Sequence, residues 1–449
     1  MSTPSSAPSG GRLTERGRPR RRLTSEGTGR SVLVSLRAAR PALLLFLASR
    51  LVMLATVVVL NGGHPAYVLQ RLAVHWDGGW YLDVARHGYD HTIAPTHAHG
   101  HLHFPNTAFF PLYPALIRIS HAVLGGLVPW GACGLLVAGV SALVAVWGIH
   151  AATAHRYGPR IGTLTAVLWG IGPAAVVETA GYSESTFTAL AAWALHATLR
   201  RRWLWAGALS VLAGLTRPTG IALALAVMVP AALEIHARLR ASRPQRGARP
   251  RDGRDHDRDR ASAAPGRAAS AAPTPAPASA AGLWRPAAAV VLAPLGWLGF
   301  VVWTAWRLHR WNAYFRVQDE WHSRFDFGHS TLLRFKTLFT RGAPVHLYVP
   351  VVAAILAAAV VLLVVAVLQR QPLPFLVFSF VTVVIALGDA AYFSARARFL
   401  LPAFPLLMPV ATMLARLRNH ATLVPLLASA ALGSAAYGTY LMLFSSAAP

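Results

Sequence analysis

Residues 41–60 read PALLLFLASRLVMLATVVVL, and a short way beyond, residues 75–90 read HWDGGWYLDVARHGYD. The first stretch is long enough, at about 1.5 Å per helical residue, to cross a hydrocarbon layer of about 30 Å. It is too long for the apolar core of a secretory signal and is followed by no convincing small-residue cleavage site, so it reads as a first membrane span. The second stretch sets Asp77 between Trp76 and Trp80 just past that span. A helix starting near Gly78 aligns Trp76, Trp80, Val84 and Gly88 in one row suited to a headgroup boundary, with Asp77 at its mouth. The competing reading makes Asp77 an N-cap that accepts from the N–H of Gly79 or Trp80.

Composition supports the membrane reading. Of 449 residues 55% are hydrophobic and only 13% charged, and apolar runs of spanning length recur. The net charge of +26 would point to nucleic acid in a soluble protein. Here the arginines gather in tails and in short loops between apolar runs, so charge reports topology and no nucleic-acid partner is expected. Lysine is nearly absent, Lys336 standing out. The single Cys133 excludes an intrachain disulfide and reads as a small apolar core residue.

Taken in order, residues 1–40 are rich in Ser, Gly, Pro and Arg and read as a disordered basic tail, cytoplasmic by the positive-inside rule. The loop holding Asp77 then lies outside. Phe109 to Gly125, interrupted by Pro111 and Pro114 and carrying Arg118 and His121, reads as an interfacial helix. Spans follow at Gly131 to Ala152, Ile161 to Val177 and Thr186 to Leu199. The stretch Trp203 to Ile235, broken at Leu215 to Gly220, reads as two short helices meeting at the outer face. Residues 238–284 form a low-complexity cytoplasmic linker. Further spans are Pro286 to Leu308, His346 to Leu368, Leu373 to Ala390, Phe399 to Ala415 and Ala421 to Phe444, with an aromatic-rich outer loop from Arg310 to Val345. The expectation is an all-α integral membrane protein of about eleven spans, with basic loops inside, a module over 41–237 and a second over 285–449.

This arrangement puts Asp77, Asp83, Glu178, Glu184, Asp389, Arg217, Arg396 and Arg398 on one side. A transferase acting on a lipid-phosphate-linked sugar needs a carboxylate to take the acceptor's proton and cations to hold the departing phosphate. Asp77 is the candidate base, with Glu184 or Asp83 next in line. Arg217, Arg396 and Arg398 are candidate phosphate ligands through paired N–H donors. Against this stand snorkelling of Arg396 and Arg398 at a helix end, and a structural pair of Arg217 with Glu178 or Glu184. The histidines of residues 97–103, HAHGHLH, would share one face of an extended strand and suit a divalent metal. An exposed loop without a metal role reads better, and no metal or other cofactor is expected.

Trp76 to Leu82, Ala85 to Tyr89, Phe109 to Pro114, Tyr182 to Ser185 and Leu215 to Gly220 occur in one order that resembles the PIG-V family of mannosyltransferases, within the GT-C class of polytopic glycosyltransferases. The likeness runs to about Val229 and returns at Arg396 to Pro405. It implies a GT-C-like bundle whose first outer loop carries the catalytic acid, at Asp77. It also implies a polyprenyl-phosphate-linked sugar donor, mannose, used at the outer membrane face without a nucleotide sugar. Glu184 and Arg217 fall on matching motif positions. Trp76, Trp80, Glu184, Arg217, Arg396 and Arg398 are the expected substrate-binding set. The acceptor is left as a glycolipid, glycan or protein. The alternative function is a transporter or flippase of a lipid-linked sugar, which also needs broken helices and intramembrane charge, here at Arg217 and Pro218.

Overall fold

A computed structural model describes residues 25–98, 101–242, 282–340, 346–390, 392–445 and 447. The chain divides into two compact units, residues 1–38 and residues 39–449. The expected tail over 1–24 and most of the expected linker, 243–281, lie outside the described residues. Two boundaries differ from expectation: helix begins at Ser25 rather than near Pro41, and helix persists to Ala241, past the expected start of the linker.

The helices are α1 (Ser25–Leu60), α2 (Pro65–Val74), α3 (Asp77–His87), α4 (Leu112–Val123), α5 (Trp130–Tyr157), α6 (Pro159–Gly170), α7 (Glu184–Leu199), α8 (Trp203–Gly214) and α9 (Gly220–Ala241). They continue as α10 (Trp284–Leu292), α11 (Leu295–Arg307), α12 (Ala313–Glu320), α13 (His329–Thr340), α14 (Tyr348–Leu368), α15 (Leu373–Gly388), α16 (Arg396–Leu400), α17 (Met408–Leu414) and α18 (His420–Leu443). Two short strands, β1 (Thr96–Ala98) and β2 (His101–His103), pair antiparallel. The histidine run is therefore a hairpin rather than one extended strand, and His97 and His103 fall on opposite strands.

Among the described residues six helices are long and apolar enough to cross a membrane, seven when the bent pair Phe393–Leu400 and Phe404–Leu414 is taken as one. This is a multi-pass membrane protein, but length alone does not give eleven spans. The difference lies in α6, α7, α8 and α15, which have 12, 16, 12 and 16 residues and so run only about 18–24 Å. These helices stop short in polar turns. The turns after α8 and α15 line a large cavity, while the opposite helix ends carry His155, Arg156, Arg200, Arg201, Arg202, Arg238, Arg370, Arg416 and Arg418.

Small residues let the helices approach. Gly148 on α5 lies where a Cβ would meet the Trp193 indole of α7 at 2.9 Å, and Ala142, Ala145, Ala191, Ala192 and Ala194 fill the same seam. Close packing of this kind replaces the hydrophobic drive that lipid surroundings remove. Phe46, Trp169, Phe187, Phe375, Phe378 and Phe404 complete the largest apolar cluster.

A stopped helix inside a bundle leaves carbonyls without partners. Arg50, in the middle of α1, answers this for α6: it donates to the Gly170 carbonyl, to the Ala175 carbonyl at 2.5 Å and to Thr179 Oγ1 at 3.2 Å, and lies 3.5 Å from Glu178 Oε2. Arg50→Met leaves Glu178 buried without its counter-ion and is expected to cost about 3–5 kcal/mol. Thermal unfolding of the purified protein in detergent would show this as a clear drop in midpoint, with Arg50→Lys losing less.

Candidate active site

α2 and α3 meet in a tight turn at His75 and Trp76. Trp76 has φ 50° and ψ −121°, a backbone region that costs a non-glycine residue about 1–3 kcal/mol, and its ring packs on His75 at 3.8 Å. The turn is fixed from the other side by close backbone approach. Gly181 N donates to the Leu72 carbonyl at 2.9 Å, and a Cβ on Gly78 would collide with the Ala73 carbonyl and lie 3.5 Å from the Gly181 carbonyl. The glycine after Asp77 thus lets α3 fold back tightly on the end of α2, while Gly181, where a Cβ would lie 2.8 Å from the Ala73 carbonyl, lets the turn that precedes α7 seat against them. Gly78→Ala forces α2 and α3 apart and is expected to cost about 1–3 kcal/mol, read as a lowered unfolding midpoint.

Asp77 opens α3 as its first helical residue and caps nothing. Its carboxylate instead takes a charge-assisted hydrogen bond from Arg398 Nη1 at 2.6 Å. Arg398 Nε lies 3.2 Å from Glu184 Oε1, and Arg217 Nη1 lies 2.5 Å from the same oxygen. Two carboxylates and two guanidiniums so form a charge-balanced chain, Asp77–Arg398–Glu184–Arg217. Ser183 extends it, accepting from Arg217 Nη1 at 3.2 Å and sharing a hydrogen bond with the Tyr81 hydroxyl at 2.6 Å. Tyr182 lies under the Arg398 guanidinium at 5.2 Å, and Phe399 lies beside both arginines.

The chain borders a cavity of about 800 Å³, lined by Asp77, Arg217, Arg396 and Arg398, with Trp76, Trp80, Tyr81, Phe109, Tyr314 and Trp321 among its aromatic walls. Glu184 is 0% exposed and does not line the cavity. It lies behind the two arginines and holds them. Arg396, 1% exposed, donates to Thr331 Oγ1 and to Ser330 Oγ at 2.7 Å, and the charges of Asp389 and Asp326 also act on it.

The structure decides several alternatives. Arg396 and Arg398 are buried and bonded, not snorkelling at a helix end. Arg217 pairs with Glu184, while Glu178 faces Arg50. The row of Trp76, Trp80 and Val84 faces protein and cavity rather than headgroups: Val84 is buried, and Trp80 stacks on Phe109 and meets Trp321 edge-on at 5.1 Å. Asp83 turns to the other side of α3, bonding His87 at 2.9 Å and Asn106 Nδ2 at 2.8 Å. Asp389 does line the large cavity, and Ser323 donates to it at 3.3 Å. His103 contacts Asp90 at 3.3 Å, and among the described residues no cluster of three metal-binding side chains occurs. Ser183, Ser330 and Thr331 join the site without a mark in the sequence, since lone hydroxyls give no signal until the fold sets them against an arginine.

No family model matches the chain. It is 32% identical over 156 residues to mouse (Mus musculus) GPI alpha-1,6-mannosyltransferase 2, a match covering 32% of this chain and 29% of that protein. The rat (Rattus norvegicus) protein of the same name is 31% identical over a match of the same extent. The chain thus spans less than a third of the length of these curated relatives. The similarity agrees with the PIG-V likeness of the motifs. Among solved structures, ArnT from Cupriavidus metallidurans bound to undecaprenyl phosphate superposes with a TM-score of 0.50 at 15% identity, over 89% of this chain and 76% of that one. The fold is that of the GT-C membrane glycosyltransferases.

Proposed function

We propose that this protein is a membrane mannosyltransferase of the GT-C type, moving a sugar from a polyprenyl-phosphate donor to a hydroxyl of a glycolipid, glycan or protein. The observation that carries the reading is the Asp77 carboxylate, aimed by Arg398, at the wall of a cavity that also presents Arg217 and Arg396. In this reading Asp77 takes the proton of the acceptor hydroxyl as its oxygen attacks the anomeric carbon. The bond from that carbon to the phosphate oxygen breaks on the opposite side, so configuration inverts, and polyprenyl phosphate leaves as an anion. An anionic phosphate needs no proton to depart, so one base with cations suffices.

Arg217 and Arg398 are each held in an ion pair with a carboxylate, whereas the hydrogen bonds of Arg396 go to hydroxyls and the charges of Asp389 and Asp326 act on it beside them. With its side chain on the cavity wall, Arg396 is the cation assigned to the phosphate, and Arg398 acts first as the holder of Asp77. The aromatic walls, Trp76 and Trp80 among them, suit the apolar faces of sugar rings and the first isoprene units. The cavity belongs on the extracytoplasmic face with the N-terminus in the cytoplasm. The arginine-rich turns at the opposite helix ends support that orientation. The likeness to ArnT, whose structure holds undecaprenyl phosphate, supports a lipid-linked donor.

The test is sugar transfer in membranes containing the protein, supplied with radiolabelled polyprenyl-phosphate mannose or with a labelled nucleotide sugar. A labelled acceptor product from the lipid donor alone is the expected result. Movement of the intact labelled lipid across the bilayer without any product would overturn the transferase reading in favour of a flippase.

A further inference from the structure

The loop between α11 and α14 has an apolar surface that the described residues do not cover. Phe327 is 89% exposed and Leu332 71%, with Phe325 and Leu333 each 50% exposed beside them. On α13, Leu332, Leu333 and Lys336 lie on one side of the helix at helical spacing, while Ser330, Thr331 and Arg334 lie on the other. Ser330 and Thr331 accept from Arg396, and Ser330 and Arg334 line the cavity. One helix thus has a cavity side and a bare apolar side.

Its level in the bundle is set by α15. Thr331 Oγ1 donates to the Leu387 carbonyl at 2.5 Å, Asp326 N to the Gly388 carbonyl at 2.8 Å, and Ala390 N to the Arg324 carbonyl at 2.7 Å. Phe325 packs on Gly388, where any Cβ would collide with its ring. The loop is thereby fastened to the end of an apolar helix, at the depth where such a helix leaves hydrocarbon. The span α14 begins nearby at Tyr348, itself a cavity residue. Exposed aromatic and aliphatic side chains next to Lys336 at that depth match a helix lying in the plane of an anionic lipid surface.

We propose that α13 and the turn before it dock into the headgroup layer of the leaflet at the cavity end, against anionic phospholipid, and that this docking supports the cavity wall that holds Arg396. The occupant is the lipid surface rather than a protein partner: the patch continues the apolar ends of α14 and α15, Lys336 adds a positive charge on the apolar side of α13, and Asp326 in the turn spends its carboxylate on the Gly328 and Ser330 N–H groups.

The inference does not depend on the transfer chemistry and is read without it. Cys133 is the only cysteine and is buried, so full-length protein carrying Cys133→Ala with Leu332→Cys, or with Phe327→Cys as a second site, can take a bimane label at one place. In phospholipid vesicles, lipids bearing a nitroxide near the headgroup are expected to quench both probes strongly and aqueous iodide weakly. Quenching by nitroxide phosphatidylglycerol should exceed that by nitroxide phosphatidylcholine up to about fivefold, falling toward equality with Lys336→Gln. Iodide quenching without lipid quenching would overturn the docking. Equal quenching by the two lipids in the parent protein would overturn the anionic preference.

Discussion

Asp77→Asn is expected to lower sugar transfer by about 10²–10⁴-fold, the range that loss of a positioned general base commands, with protein abundance unchanged. The substitution keeps shape and removes the basic oxygen. Arg398 would still have Glu184 at 3.2 Å, and Asn can still accept from Nη1, so folding should lose only about 1 kcal/mol. Radiolabel transfer at matched protein level, together with an unfolding midpoint, separates the two effects. Should the variant keep wild-type activity, Asp77 is not the base. The search would then pass over Glu184, which lies behind its arginines, and Asp83, which faces away. It would move to Asp389, on the wall of the same cavity.

What could be seen in the sequence follows a physical line. Long apolar runs report their own lengths, so α5, α14 and α18 lie close to where hydropathy puts them, α1 shares only its end with the expected span, and the break at Leu215 to Thr219 is announced by Pro218 and Gly220. That Asp77, Glu184, Arg217, Arg396 and Arg398 share one side was legible because arginine-rich turns mark the opposite ends; that four of them line a cavity with Glu184 behind was not. Pairing was not legible. Nothing in the spacing says that Arg398, 321 positions away, bonds Asp77 while Arg396, two residues earlier, bonds Ser330 and Thr331. That division follows from the turn between α15 and α16, which only the packed chain defines. Arg50 did leave a signal: a lone charge in a span is expensive, and its cost implies a buried partner. The partner, Glu178, falls just beyond the expected span of Ile161 to Val177, which in the fold ends at Gly170 and gives way to a turn.

Arg398→Gln should be nearly as damaging to transfer as loss of the base, by about 10²-fold, because Asp77 loses the donor that aims it. It should also lower stability by about 3 kcal/mol, since a partly buried carboxylate loses its counter-ion while Glu184 retains only Arg217. The double variant Asp77→Asn, Arg398→Gln distinguishes aiming from an independent grip on the donor phosphate. If Arg398 acts through Asp77, the double variant transfers no less than Asp77→Asn alone. It also recovers part of the stability lost in Arg398→Gln, a coupling of about 1–3 kcal/mol, because the unpaired charge is gone. If Arg398 holds phosphate by itself, the two losses multiply and stability does not recover. Arg396→Gln supplies the contrast: it should raise KM for the lipid donor, and its loss should multiply with that of Asp77→Asn, since its hydroxyl partners on α13 share no atom with the Asp77 chain.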